Sequence, residues 1–482
     1  MKGHKDQNGI LVPAHARTLA VNVGPIAPVP ASVHPGDSIP CPSGPLDLPG
    51  VPPFFWASLL AVAGSDRIAL VGGAVRDWLL HHQHLDPWRG LLDLDLVIED
   101  LSAVGSPAGM GRSRRTSPAW QLVENLSRAG EGLIVRDARP HGQYGTVELE
   151  LALHSPGFHA GGSSLPLSLL LDVASARRET YPVAGDNPVV HYGALEDDLA
   201  RRDLTINAMA IELSSGTLLD PHGGRDDLAA RQLRFLHPTS LRDDPTRLVR
   251  AARYASRLGF QLAEESQSQA TSTLAAWPWP WRAGDAPGKA PAALGTRLRR
   301  ELELLLEREN WWLALRSLQG WGGLILFDLH LQNDCQWMRR LHWASRFHLP
   351  RMVAFLAGAE DPLLLAERLQ VPRRQHLLLS QCLEVRRRLG DGGPWTEGES
   401  SPGPWQWCQF LEAPGLSPQA VALALACGVA PRRPLLRWLL RWRHLGPECS
   451  ARDLMDAGVP KGPELGKELK RSRQERLERE RL

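Results

Sequence analysis

Two aspartates, Asp93 and Asp95, stand two positions apart in the run "DLDLVI" (93–98). In an extended strand, residues i and i+2 project from the same face. Asp93 and Asp95 therefore point together, with Leu92, Leu94 and Leu96 on the opposite face. Like charges held side by side are costly unless a cation lies between them. A divalent metal removes that cost, and magnesium favours one or two carboxylates completed by substrate phosphates. Two such ions activate an attacking hydroxyl and stabilise the leaving oxygens in nucleotidyl transfer. A third carboxylate from a neighbouring strand helps to hold them, and Asp172 in "LLLDVASAR" is the candidate, ahead of Glu148 and Glu150. Just upstream, "GGAVRD" (72–77) supplies a second chemical element. Gly72 and Gly73 allow the backbone a positive φ and close approach to a ligand. The helix start that follows offers free N–H groups and a positive dipole end to phosphate, and Arg76 adds a charge within its first turn.

The elements needed to position these groups are visible in the hydrophobic patterning. "RIALVGGAVRDWLL" (67–80) reads as strand, tight turn and helix, and "LLDLDLVIE" (91–99) as the next strand. "AWQLVENLSRAG" (119–130) has helical spacing, "YGTVELELAL" (144–153) alternates with period two, and "LSLLLDVASAR" (167–177) is a further apolar strand. This alternation predicts an α/β head with a mixed sheet over 51–200. From "DDLARRDLTINAMAIEL" (197–213) onward helices are expected to dominate. They form a neck (201–335), a body (336–450) and a tail (451–482), broken by loops at 277–295 and 390–405. "FFWASLLAVAG" (54–64) reads as the first core helix. Residues 1–50, rich in proline and glycine, read as a disordered leader.

The bulk numbers set the class. A chain of 482 residues with 43% hydrophobic and 22% charged side chains suits a globular protein of more than one domain. Net charge is only +2, yet nearly all the positive charge is arginine, whose planar fork pairs with phosphate oxygens. Six cysteines show no CxxC pair and no zinc spacing, as expected of reduced thiols in a cytoplasmic protein. No apolar run has the length of a membrane span. The tryptophans of the body are expected to be core residues rather than base-stacking platforms.

Four segments follow one another along the chain: "LVGGAVRDWLL…DLDLVIE", "RRDLTINAMA", "LLDPHGGRDDLAARQLRFL" and "DDPTRLVRAARYASRLGF". Together they closely resemble the bacterial class II tRNA nucleotidyltransferase and poly(A) polymerase family, over residues 67–330. The resemblance implies a polymerase-beta-like nucleotidyltransferase head followed by an all-α neck, body and tail. It implies that Gly72, Gly73 and Arg76 hold the incoming triphosphate, that Asp93 and Asp95 bind Mg²⁺ with Asp172 beside them, and that Arg202, Asp203 and Asn207 contact the nucleotide, with Arg201 opening the same "RRD" element.

The family's base-selecting helix start, "EDxxR", reads "DDPTR" here, with Asp243 in place of glutamate and with Asp244 and Arg247 retained. A carboxylate accepts from the exocyclic amine of cytosine or adenine, and a guanidinium donates to the ring nitrogen or carbonyl beside it. Uracil and guanine present a carbonyl where that amine should be. Asp244 with Pro245 also fits a helix start, and the two roles are compatible. "GTRLRRELELLLEREN" (295–310) resembles a later helical motif in which Arg297 and Glu301 brace the neck. "DLMDAGVPKGPELGKELKRSRQERLERERL" (453–482) resembles the family's tRNA-gripping tail, with Lys461, Gly462 and Lys467 as RNA contacts. The expected activity is addition of C and/or A to the 3′ end of tRNA from CTP and ATP. A poly(A) polymerase and an enzyme adding only CC or only A are the alternatives.

Overall fold

The computed structural model describes residues 46–90, 94–100, 117–129, 132–141, 145–153, 167–276, 285–390 and 402–480. Asp93, the expected leader up to residue 45, the loop 101–116 and much of the two Pro/Gly-rich stretches (277–284, 391–401) lie outside them.

Helix α1 (Pro53–Ala63) buries Phe55, Trp56 and Leu59. Strand β1 (Arg67–Val71) has four consecutive buried residues, Ile68 to Val71, the pattern of a strand covered on both faces. It turns through Gly72 into α2 (Gly73–His84). Strand β2 (Leu94–Glu99) follows, then α3 (Pro118–Ala129), β3 (Leu133–His141), β4 (Thr146–Leu153) and β5 (Leu167–Ser175). A hairpin, β6 (Arg177–Thr180) with β7 (Val189–Tyr192), leads to α4 (Leu195–Ala200). Two short strands, β8 (Ala210–Glu212) and β9 (Leu218–Leu219), complete a seven-stranded mixed sheet of order β3-β4-β5-β2-β1-β8-β9. The sheet thus takes its last strands from beyond residue 200, inside the segment where helices were expected to take over. The apolar run "AMAIEL" pairs with β1 because Ala210 and Ile211 fill the sheet edge beside Val71 and Leu70.

The register of this sheet is what builds the site. In the parallel pair β2–β5, Asp95 lies opposite Asp172. In the antiparallel pair β4–β5, Asp172 lies opposite Glu148. Opposed residues share a face and adjacent strands lie ~4.8 Å apart, so three carboxylates form one row. On that face Val97, two positions from Asp95, packs with Ala69, Val71, Ala176 and Ala210 under Leu195 and Leu199 of α4.

Beyond the sheet come α5 (Gly224–Ala230), β10 (Gln232–Leu233), α6 (Ser240–Asp243) and α7 (Thr246–Leu258). β11 (Gln261–Leu262) pairs with β10 and is followed by α8 (Glu264–Ala276), α9 (Thr296–Arg308) and α10 (Trp311–Gly320). α7 ends at Gly259, whose φ of 75° is the left-handed cap that glycine accommodates without strain. α9 buries Leu298, Leu302, Leu305 and Leu306 at helical spacing, and α7, α9 and α10 pack together.

The remaining chain is helical: α11 (Leu329–Asn333), α12 (Trp337–Arg346), α13 (Arg351–Leu356), α14 (Pro362–Arg368), α15 (Arg373–Gly390), α16 (Pro404–Leu411), α17 (Pro418–Ala426), α18 (Arg432–Leu440), α19 (Ala451–Asp456) and α20 (Pro463–Glu478). α17 is buried at every position from Ala420 to Ala426 and packs against α12, α15 and α18. α20 packs on α16, and a bidentate pair ties it to the residue after that helix, both terminal guanidinium nitrogens of Arg473 lying 2.7 Å from Glu412. Among the described residues no helix is long and apolar enough to cross a membrane.

Candidate active site

A cavity of about 530 Å³ opens over the carboxylate row. Its floor is Asp95 and Asp172, and the glycine turn forms one rim. Gly72 has φ 72°, and a Cβ there would come within 3.0 Å of both Asp95 Oδ2 and Arg202 Nη1. The turn is therefore glycine for two reasons, backbone conformation and close approach of a carboxylate and a guanidinium. Asp95 and Asp172 are hard oxygen donors on adjacent strands, a pair whose mutual repulsion a divalent cation relieves. Among the described residues no group of three or more His, Cys, Asp or Glu side chains is placed to hold a metal ion. Asp93, expected as the partner of Asp95 in the metal-binding pair, lies outside the described residues.

The second wall is the "RRD" element. Asp198 on α4 is fully buried and accepts from Arg201 at 2.7 and 2.9 Å and from Arg202 at 3.0 Å. Burial alone would raise the Asp198 pKa; the charges of Arg201 and Arg202 outweigh it and hold the carboxyl below its ordinary range. Arg201 also meets Glu179 of β6 at 3.4 Å, which leaves Arg202 as the member of the pair beside Asp95. Asp203 is 6% exposed. It accepts from Arg250 Nε at 2.8 Å, Asn207 Nδ2 at 3.1 Å and the Leu204 amide at 2.8 Å. Burial again pushes its pKa up, but Arg250 and these donors bring it down to about 2. Asn207 sits in a single 3-10 turn, Thr205–Asn207, rather than on a continuing helix.

Arg76 is placed differently from its expected contact with the triphosphate. It is 3% exposed and does not line the cavity. Its guanidinium bonds Asp77 at 2.7 and 2.9 Å and Asn207 Oδ1 at 2.8 Å, with the Tyr254 ring 5.2 Å away. It stands behind the wall and holds Asn207.

The third wall is the start of α7. Asp244 Oδ1 accepts from the Thr246 amide at 3.0 Å and its hydroxyl at 2.7 Å, so the helix-start role is present. Its Oδ2 meets Arg297 Nη1 of α9 at 3.2 Å, which turns the carboxylate toward the cavity it lines. Arg247 is 5% exposed and donates from Nη2 to the Arg201 carbonyl at 2.9 Å. Its buried Nη1, with Arg202 Nε and Arg297 Nε, meets no hydrogen-bond partner among the described residues. Buried donors without acceptors are expensive, and here three of them belong to side chains lining one cavity. Asp243, the departure from the family pattern, bonds Thr239 at 3.0 Å and lies off the cavity.

Sequence reasoning passed over Asp198, Glu179, Tyr181 and Arg250. Asp198 was findable, since it lies three and four residues before the two arginines, the spacing of one helix face. Glu179 and Tyr181 reach the cavity on the β6–β7 hairpin, which no local pattern ties to the site. Arg297 and Glu301 brace as expected, and Arg297 also contacts Asp244 directly. Lys461, Gly462 and Lys467 are exposed at the start of α20 and do not line the cavity.

A carboxylate row, a glycine turn and a guanidinium-lined cavity define a nucleotidyl-transferring head. Comparison with known proteins makes the assignment specific. Residues 159–234 match the Poly A polymerase head domain model. The CC-adding tRNA nucleotidyltransferase of Deinococcus radiodurans is 35% identical over 333 residues, 67% of this chain and 72% of that protein. The A-adding tRNA nucleotidyltransferase of Halalkalibacterium halodurans is 45% identical over 205 residues, 42% of this chain and 38% of that protein. A solved CCA-adding enzyme of Thermotoga maritima, complexed with tRNA, shares the fold with TM-score 0.56 at 21% identity, covering 89% of this chain and 92% of that one. The chain belongs to the class II tRNA nucleotidyltransferase and poly(A) polymerase family, and it is a nucleotidyltransferase.

Proposed function

We propose that this chain adds C and/or A to the 3′ end of tRNA without a nucleic-acid template, using CTP and ATP and releasing pyrophosphate. The observation that carries this reading is one cavity holding Asp95 and Asp172 on its floor and Asp244 with Arg247 on its wall. The longer of the two sequence matches, over 67% of the chain, is to a CC-adding enzyme, which favours cytidine as the first nucleotide added. The site of action is the cytoplasm, where tRNA ends are made and repaired.

Asp95 and Asp172, with Asp93, would hold Mg²⁺, whose chemistry is to ease loss of the attacking hydroxyl's proton and to offset charge on the leaving pyrophosphate. The turn at Gly72 and Gly73, with the α2 N-terminus, cradles the triphosphate, and Arg202 supplies a charged donor beside it. The terminal 3′ hydroxyl of the RNA attacks the α-phosphorus, a new P–O bond forms, and the bond to pyrophosphate breaks. Asp203 and Asn207 fix the ribose, and Arg76 keeps Asn207 in place. Asp244 accepts from the exocyclic amine of cytosine or adenine while Arg247 donates to the ring edge. Arg297 sets the direction of the Asp244 carboxylate, so base choice is made by the protein.

Purified protein with Mg²⁺ and tRNA transcripts ending at the discriminator base, at C, or at CC, each given single nucleotides or CTP with ATP, tests the reading. Growth that stops at CC or CCA on tRNA is the expected result. Long A tails on an unstructured RNA, or no incorporation of C or A, would overturn it.

A further inference from the structure

The body carries a surface that the site chemistry does not use. Residues 336–450 hold 15 arginines and no lysine against 9 acidic side chains. α12 shows how this charge is presented. Its inner face, with Trp337, Leu341 and Ala344, is buried against α13 and α17. Buried Arg340 locks it there, 2.6 Å from Asp334 Oδ2 and 2.6 Å from the Ala354 carbonyl. Its outer face carries guanidinium and aromatic groups side by side, with Met338 beside them. Arg339, His342, Trp343 and Arg346 are all exposed, and the helix contains no acidic residue. Trp343 is 39% exposed. Its ring stacks on Phe347 with centroids 5.7 Å apart and planes 27° apart, and His342 meets it edge-on at 6.4 Å. The aromatic group is thus held in place while remaining open to a ligand. It contrasts with Trp337, Trp407, Trp438 and Trp442, which are buried as the sequence predicts.

The C-terminal end of α12 also lies across a groove from α9, the helix that reaches the catalytic cavity. α9 lines that cavity with Arg297, Arg300 and Glu301. One to two turns further along, Glu303 and Glu307 of the same helix line a second groove of about 370 Å³, whose opposite side includes Ser345 of α12 and His348 just beyond its end. Seven residues of α-helix span ~10 Å, so the groove follows the cavity directly along α9.

We propose that the outer face of α12 is a nucleic-acid contact, in which Arg339 and Arg346 meet sugar-phosphate backbone and Trp343 stacks on a base or ribose of the RNA being extended. Arginine pairs with phosphate in a planar, bidentate geometry, and a fixed aromatic face binds nucleotides with little regard to sequence. The absence of acidic groups from the helix favours a polyanion over a second copy of this chain, which would have to bring its own negative charge. The proposal rests on the RNA-extending activity proposed above and adds a contact on the body to those expected at the growing end and at the tail.

Equilibrium binding of a tRNA transcript lacking its CCA end tests it, with wild type, Trp343→Ala and the double variant Arg339→Glu/Arg346→Glu. The double variant is expected to bind about tenfold more weakly or worse, and its salt dependence to lose a slope of about 2, one for each phosphate contact. Trp343→Ala is expected to weaken binding by about tenfold with the salt slope unchanged. At saturating RNA, incorporation by either variant stays near wild type, since neither side chain lines the cavity. Unchanged affinity and slope in folded variants would overturn the proposal, and so would loss of self-association without loss of RNA binding. If wild type extends tRNA while the variants bind normally, only the α12 contact fails; if wild type binds and extends no tRNA, the activity reading fails with it.

Discussion

Asp244 does two jobs with two oxygens. Oδ1 serves the helix start through Thr246, and Oδ2 is aimed by Arg297. Asp244→Asn keeps an acceptor for Thr246 but replaces the charged acceptor that rejects uracil and guanine. It is expected to lose discrimination against UTP and GTP by about tenfold to a hundredfold, the range of a good base-edge contact, with little change in unfolding midpoint. Competition between CTP and UTP in an extension assay reads this directly, and unchanged selectivity leaves Asp244 a helix cap alone. Asp203 gives a pH signature. Its folded pKa of about 2 lies below the ordinary carboxylate value of 3.8. The resulting stabilisation, ~2 kcal/mol, is complete above pH ~4 and is lost as pH falls toward 2. Unfolding of Asp203→Asn should therefore differ from wild type by that amount at neutral pH, and the gap should close in acid. A gap that does not change with pH would show that the Arg250 contact is not what holds the side chain.

At the scale of elements, much of the head was legible. β1, α2, β4 and β5 begin and end within a few residues of the positions that periodicity predicts. Their patterns are strong because burial enforces period two or 3.6. The partnership of Asp95 with Asp172 was also reachable, since both stand on apolar strands, but their common row depends on a parallel register that no local pattern fixes. β8 was missed because a three-residue strand has no period of its own and is defined by the edge it pairs with. Arg340 was invisible for a similar reason, since its partner Asp334 precedes the helix and the acceptor Ala354 follows it. Arg340→Met strands Asp334 in a buried site and is expected to cost about 3 kcal/mol of stability, read as a lower midpoint in chemical unfolding. Adding Asp334→Asn should recover most of that loss, because the turn contact to the Gln336 amide survives and the buried charge is gone. A double variant as unstable as the single one would mean that packing at Arg340, not its charge, is what α12 requires.

The whole molecule couples a densely charged site on the sheet to an arginine-rich helical body through α7 and α9, whose side chains enter the cavity and whose apolar faces join the neck. Order of motifs made the family legible in the sequence. The assembly of the cavity from elements separated by two hundred residues did not show there, because spatial closure is set by packing. The central claim is that the carboxylates opposite the glycine turn carry out nucleotidyl transfer. The most direct test is single-turnover incorporation of one labelled CTP into prebound tRNA by Asp95→Asn. The account predicts a loss of about a thousandfold or more, with RNA affinity and unfolding midpoint unchanged. Incorporation within about tenfold of wild type would contradict it.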